Sequence, residues 1–366
     1  MEENKRTCLY PEHVSLKALI SPFGGFDMPI QYRGIVEEHN AVRNACGIFD
    51  VSHMGEVSIT GTDAERYVNH IFSNDVTDAP VGKCFYGMML NPRGGVVDDL
   101  LVYKRGDESF FLVINASNID KDVAWIESNA SGFDVKVENL SDFYGEIAIQ
   151  GPKAEEVVED VLGIHVSDLA FYTFKEVTYM DKPAIISRTG YTGEDGFELY
   201  APHDVTVATW RRLIESGKAE PCGLGCRDTL RFEVGLPLYG DELADDITPV
   251  EAGLTMFVKL DKPEFIGKEA VAAQKAGGPA RKLVGLELLD RAIPRHGYEV
   301  LAADTDEVVG VVTTGYHAIS VDKSIAMALV NTPYAALGTP LRVRIRRKTF
   351  PAVVVKKKFY NKNYKK

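Results

Sequence analysis

Cysteine and long hydrophobic runs are the two things this sequence has little of. Five cysteines occur in 366 residues, Cys8, Cys46, Cys84, Cys222 and Cys226. An odd, scattered set in a chain long enough to bury its own core does not form a disulfide framework, so all five are expected as reduced thiols. Cys222 and Cys226 flank Gly-Leu-Gly, a spacing unlike paired zinc ligands, and the eight histidines are dispersed, so no metal cluster is expected. No apolar run approaches the ~18–20 residues of a membrane helix. Positive charge is also short: 41 basic against 53 acidic residues leave a net charge of −12, which argues against a general nucleic-acid binder. The opening Met-Glu-Glu-Asn-Lys-Arg has neither an apolar core nor an acid-poor, arginine-rich character, so cytoplasmic residence is expected. Phosphate-binding loops of the P-loop and G-x-G-x-x-G kinds are missing, which removes the common nucleotide sites.

What is present is a soluble composition, 45% apolar and 26% charged, over a length that suggests two or three domains. One stretch stands out. In Asn91-Pro-Arg-Gly-Gly-Val-Val-Asp-Asp-Leu-Leu-Val-Tyr103, a Pro-Gly-Gly turn leads into an apolar strand that contains two adjacent acids, Asp98 and Asp99. Strict alternation puts Asp99 on one face with Val97, Leu101 and Tyr103, and Asp98 on the other with Val96, Leu100 and Val102. A carboxylate in such a strand costs several kcal/mol unless something compensates it. It either caps the turn through local backbone or serves a site.

Around this stretch the pattern is antiparallel. Gly82–Leu90 and Phe110–Asn115 read as strands beside Val96–Tyr103, and Ser117 is placed to cap a helix bearing Ile119, Val123 and Ile126. Gly47–Gly61 is strand-like but breaks at Ser52–Gly55, which sets Met54 at a bend, where it either fills core or lines a flat pocket. Thr62-Asp-Ala-Glu65 has the form of a capping box. Strands then a helix argue for an α+β fold. Further on, Gly190-Tyr-Thr-Gly-Glu-Asp-Gly196 is a tight turn leading to Glu198 between Phe197 and Leu199, and Arg227 shares a helix face with Arg231. Glu198 either faces water or is suited to a two-point grip on an amidine-like edge. Together with Tyr86, Tyr103 and Tyr191, the acids suggest a pocket for a flat, polar-edged heterocycle. Ala272–Pro279 reads as a linker, and regularly spaced short strands over 281–366 read as a small β-barrel or sandwich with a strongly basic end.

Five ordered motifs carry a resemblance: Phe49-Asp-Val-Ser-His-Met-Gly55, Met89–Leu100, Arg188–Glu198, Arg227–Gly240 and Thr248-Pro-Val-Glu251. They resemble, in order, those of the aminomethyltransferase family, the T-proteins of the glycine cleavage system, over about Leu9–Tyr360. The resemblance implies a three-lobed cloverleaf around a central folate-binding hole, with residues 1–275 as the folate-binding region, its second lobe roughly 52–136, and 281–366 as the C-terminal barrel. It implies transfer of the methylene carbon of an aminomethyl group on the lipoyl arm of H-protein to tetrahydrofolate, the acceptor substrate, with release of ammonia. Residue by residue it implies Asp99 as the catalytic acid, Glu198 as the pterin grip and Arg227 as a folate-site arginine. Met54, Tyr103 and Tyr191 match lining positions, Tyr86 and Asn115 stand with them, and Tyr364 and Arg295 match ligand contacts. Phe111 stands where some members carry tyrosine, and Lys356-Lys-Lys-Phe-Tyr360 departs from the usual ending. A folate-dependent demethylase acting on an amine or sulfonium donor, or a folate-binding accessory protein without turnover, are the alternatives on this fold. The Lys-Gly-Cys-x-x-Gly-Gln-Glu motif of the iron–sulfur-assembly relatives is missing.

Overall fold

The computed structural model describes residues 3–361. Its strands form a two-stranded ribbon, two open sheets and one closed barrel. The larger open sheet runs in the order Phe174–Tyr179, Lys182–Ser187, Gly196–Pro202, Tyr144–Gln150, Gly47–Asp50 and Glu220–Pro221, antiparallel except for the last pair. One face carries Ile147, Ile149, Ile186, Phe197 and Leu199 onto Trp210 and Leu213 of the helix His203–Ser216. Each such side chain contributes about 1.5–3 kcal/mol on burial.

The second sheet runs Cys84–Leu90, Val96–Gly106, Ser109–Ile114, Gly55–Thr60 and Lys136–Asn139, all antiparallel. Its outer face packs Val57, Ile59, Leu100, Val102 and Leu112 on Tyr67, Val68 and Ile71 of the helix Ala64–Ile71. The inner faces of the two sheets meet in an aromatic layer of Tyr103, Phe111, Tyr144, Phe174 and Tyr200. Arg281–Val355 close into a six-stranded barrel, so of the two readings of the C-terminal strands the barrel is the one formed. A shared core joins Met88, Leu90 and Val96 to Phe232 of the helix Leu224–Glu233 and to Leu283 and Met327 of the barrel. The fold is α+β, with the two open sheets facing a cavity that the segment after the last barrel strand also lines.

Local detail departs from the sequence expectation in four places. The ladder between Cys84–Leu90 and Val96–Gly106 slips between Met89↔Asp98 and Leu90↔Val96, a bulge that leaves Val97 extra. Val97 therefore packs with Leu100 and Val102, not with the Asp99 face. Thr62 does not cap: its hydroxyl donates to Asp134 Oδ2 at 2.8 Å, and Asp63 is the N-cap without a side-chain cap bond. Ser117 lies inside a short 3₁₀ turn, Ala116–Asn118, and the helix starts at Ile119. The stretch read as a linker is largely helix, Lys268–Gly277, since Val271 finds a buried place in the shared core. A complete capping box does form at Thr248 and Glu251.

Candidate active site

The turn after Leu90 brings the acids into position. Asn91 Oδ1 accepts from the backbone N–H groups of Arg93 and Gly95, and a Cβ on Gly95 would sit 1.8 Å from the Asp245 carbonyl, so only glycine lets the two segments meet. Alternation then sends the acids to opposite faces. Asp98 is fully buried on the helix side, where it accepts from Asn115 N–H at 2.9 Å, Asn115 Nδ2 at 2.8 Å and Asn118 Nδ2 at 2.7 Å. Asp99 opens into a cavity of about 860 Å³ between the two sheets. The local option raised by the sequence is thus refused: neither acid caps its own turn.

Asp99 is held at both oxygens. Tyr86 OH donates to Oδ2 at 2.9 Å and Asn115 Nδ2 to Oδ1 at 2.9 Å. Burial first, then the charge of Asp98, pushes the Asp99 carboxyl up to about 7 against the pull of these two bonds. A carboxyl that titrates near neutrality inside a cavity is suited to proton transfer and to stabilising a developing cation.

Across the cavity the glycine-rich turn and the strand after it supply the second acid. Gly193 adopts φ +83°, and a Cβ there would lie 2.4 Å from Val234. Glu198 follows, buried at the cavity wall, accepting from Thr189 Oγ1. Burial raises its carboxyl, while Thr189 and Arg227 draw it back. Arg227 lines the same cavity with its guanidinium 4.6 Å from the Tyr191 ring centroid, and Tyr191 OH donates to the Pro237 carbonyl. Its helix neighbour Arg231 has a different fate: it is fully buried, bonded to Asp228 at 2.7 Å and Glu242 at 2.8 Å.

Of the sequence-derived site residues, Met54, Tyr86, Asp99, Asn115, Tyr191, Glu198 and Arg227 line this one cavity. Tyr103 does not. It stands behind the wall, bonded through its hydroxyl to Tyr200 OH at 3.0 Å. Arg295 is also absent from the wall and stacks on Tyr316, 5.1 Å from its centroid. Tyr364 lies outside the described residues. Phe111 is buried in the inter-sheet aromatic layer.

Sequence reasoning missed Glu146 and the Lys356–Lys358 run as cavity walls. Glu146 is buried with Oε2 unpartnered among the described residues, and burial, then Glu198, raises its carboxyl well above the ordinary range. The signal was available: Gly145-Glu-Ile-Ala-Ile-Gln150 is another apolar strand with an acid in it. Lys357 Nζ donates to the Ala252 carbonyl at 2.5 Å, and burial pushes it down to about 8.

Among the described residues one group has metal-like donor spacing, Glu38, Cys222 and Cys226. The Glu38 carboxylate is already filled by the N–H groups of Tyr32 at 2.6 Å, Arg33 at 2.9 Å, Gly34 at 3.1 Å and Gly223 at 2.8 Å, so it works as a backbone clasp. All five cysteines are free thiols.

Comparison with known proteins agrees along the whole chain. The model of the GCVT N-terminal domain matches residues 9–262, and that of the glycine cleavage T-protein C-terminal barrel domain matches 281–361. An aminomethyltransferase of Alkaliphilus oremlandii is 50% identical and one of Thermoanaerobacter sp. (strain X514) 47%, each pairing covering all of both chains. A crystal structure of glycine cleavage system aminomethyltransferase T from Bartonella henselae superposes with a TM-score of 0.94 at 33% identity, again over all of both chains. With both halves of the family's architecture matched in order and relatives aligned end to end, the chain belongs to the glycine cleavage T-protein family.

Proposed function

We propose that this chain is the aminomethyltransferase of a glycine cleavage system. It moves the methylene carbon of the aminomethyl group on the lipoyl arm of H-protein to tetrahydrofolate, releasing ammonia and forming 5,10-methylenetetrahydrofolate. The observation that carries the reading is Asp99: a carboxyl pushed to about 7, held by Tyr86 and Asn115, opening into a cavity wide enough for a pterin.

The chemistry asks for such a group. As the aminomethyl carbon leaves its donor, positive charge develops on an iminium-like unit, and a fixed carboxylate in a low-dielectric cavity stabilises it. The attacking folate nitrogen must also lose a proton, and a carboxylate near neutrality accepts or relays it. Glu198, on the opposite wall, has the two acceptor oxygens that suit the amidine-like edge of a pterin, and Arg227 offers charge to the acceptor's far side. Met54, Tyr191 and the Tyr86 ring supply flat apolar contact. Tyr103 contributes indirectly, by fixing Tyr200. Cytoplasmic residence accompanies the reading, on the strength of five free thiols; no helix among the described residues is long and apolar enough to cross a membrane. Three relatives aligned over their full length at 47–50% identity are each named aminomethyltransferase, which favours this reading over a demethylase or a binding-only protein.

The deciding experiment supplies aminomethylated H-protein and tetrahydrofolate and follows ammonia and methylenetetrahydrofolate together. Asp99→Asn is expected to keep folate binding and to lower turnover by about 10²–10³. Unchanged turnover would remove Asp99 from the reaction.

A further inference from the structure

Behind Asp99, on the helix side of its strand, lies an arrangement that the reaction as described does not use. Asn115, Asn118 and Asp122 fall on one face of the turn and helix that follow Ile114, and all three point at Asp98. The Asn115 amide is shared: its Nδ2 donates to Asp98 Oδ1 at 2.8 Å, to Asp99 Oδ1 at 2.9 Å and to the Asp99 carbonyl at 3.1 Å. Asp98 and Asp99 are therefore joined through one amide, and with three N–H donors on its oxygens Asp98 is set up as an anion.

Asp122 completes the group. It is fully buried, and neither of its oxygens accepts a hydrogen bond from any described residue. Its nearest cation, Lys121, stands 3.6 Å from Oδ1 but donates to the Val97 carbonyl and to Tyr239 OH. Two carboxyl groups turned toward each other in a dry interior need one proton between them. Asp98 already has three N–H donors and Asp122 has none among the described residues, so Asp122 is the one to carry it.

We propose that Asp122 is a positioning residue: as a neutral carboxylic acid it donates to Asp98, and the Asp122–Asp98 pair, acting through the Asn115 amide, sets the orientation and charge state of Asp99. Its pKa direction agrees, since burial and then Asp98 push Asp122 up to about 10. Asp98 is, after burial, the charge that lifts Asp99 toward neutrality. The other titratable groups facing Asp99 are Tyr86, from the paired strand, and Tyr191, from the glycine-rich turn; Lys121 and Tyr239 face the Asp122 end. The proposal rests on Asp99 being the reacting carboxylate.

The test is the pH profile of turnover, with Asp99→Asn as control. Removing the Asp98 charge in Asp98→Asn lowers the Asp99 pKa and moves the acid limb to lower pH by about one unit. Asp122→Ala withdraws the proton donor from Asp98, leaves that charge less compensated, and moves the limb upward with a loss of roughly tenfold in kcat. Asp122→Asn keeps a neutral donor and returns the limb to its wild-type position. A role in packing alone would not order the three variants in this way. If Asp122→Asn shifts the limb as Asp122→Ala does, or if Asp98→Asn leaves it in place while Asp99→Asn is inactive, the proposal is overturned. Full turnover in Asp99→Asn would instead overturn the reading beneath it. For any variant too unstable or slow to assay, ¹³C NMR titration of the Asp99 carboxyl, assigned by its loss in Asp99→Asn, must give the same order across the variants that fold.

Discussion

The Tyr86 hydroxyl donates to Asp99 Oδ2 at 2.9 Å from the strand that pairs with its own. This bond favours the ionised carboxyl and opposes the burial that disfavours it. Tyr86→Phe removes the donor, so the Asp99 pKa rises and the acid limb of turnover moves to higher pH. A bond to a charged group is worth about 1.5–3 kcal/mol, and one pKa unit is about 1.4 kcal/mol, so the shift should be about one unit or more. A profile unchanged from wild type would mean that the bond does not operate during turnover.

Glu198 tests the other wall. Glu198→Gln keeps the shape and the bond with Thr189 but loses the charge and one acceptor oxygen. Tetrahydrofolate affinity, read by fluorescence titration, should weaken by about 10–100-fold, the equivalent of one charge-assisted hydrogen bond. Turnover at saturating folate should fall far less than in Asp99→Asn. Equal affinity for the two proteins would rule out the grip.

Glu56 gives a stability prediction. Both of its oxygens are buried without a hydrogen-bond partner among the described residues, and burial, then Glu146, raises its carboxyl well above the ordinary range. The folded state thus binds a proton that the unfolded state releases above its ordinary carboxyl pKa, so stability falls as pH rises from that value toward the folded one. Glu56→Gln removes the dependence. Its unfolding temperature should exceed that of wild type at pH 8 by roughly 2–4 °C, with the gap closing near pH 4. A gap independent of pH would contradict the buried-proton account.

The basic C-terminal segment is proposed as the docking face for H-protein. Lys348, Lys356 and Lys358 are exposed, on a chain whose net charge is −12. Changing the three to glutamine should slow association with H-protein at low salt by about tenfold, and the difference should vanish as salt rises, because exposed charges are screened over about 8–10 Å. Folate affinity, measured in parallel, separates docking from any effect on the cavity, which Lys356 and Lys358 also line. The same salt dependence in both proteins would send the search to another face.

By itself the sequence determined the composition class, the antiparallel α+β pattern, the C-terminal run of short strands and, through five ordered motifs, the family. It also singled out the Asn91–Tyr103 stretch, because an acid in an apolar strand is costly wherever the strand lies, and that cost is visible without a partner. What it could not supply were the partners. Asn115 and Tyr86 bond the two acids from neighbouring elements, and spacing places those elements without saying which of their side chains make the bonds. The bulge at Val97 reversed one assignment of face because register is settled between strands, not within one. Lys268–Gly277 became helix because Val271 had a core to enter. Above all, tertiary structure divided the labour of the Asp pair. Adjacent, identical side chains on opposite faces of one strand have different surroundings, Asp99 in the cavity and Asp98 against Asn115 and Asn118, because the packing of the sheet covers one face and leaves the other open.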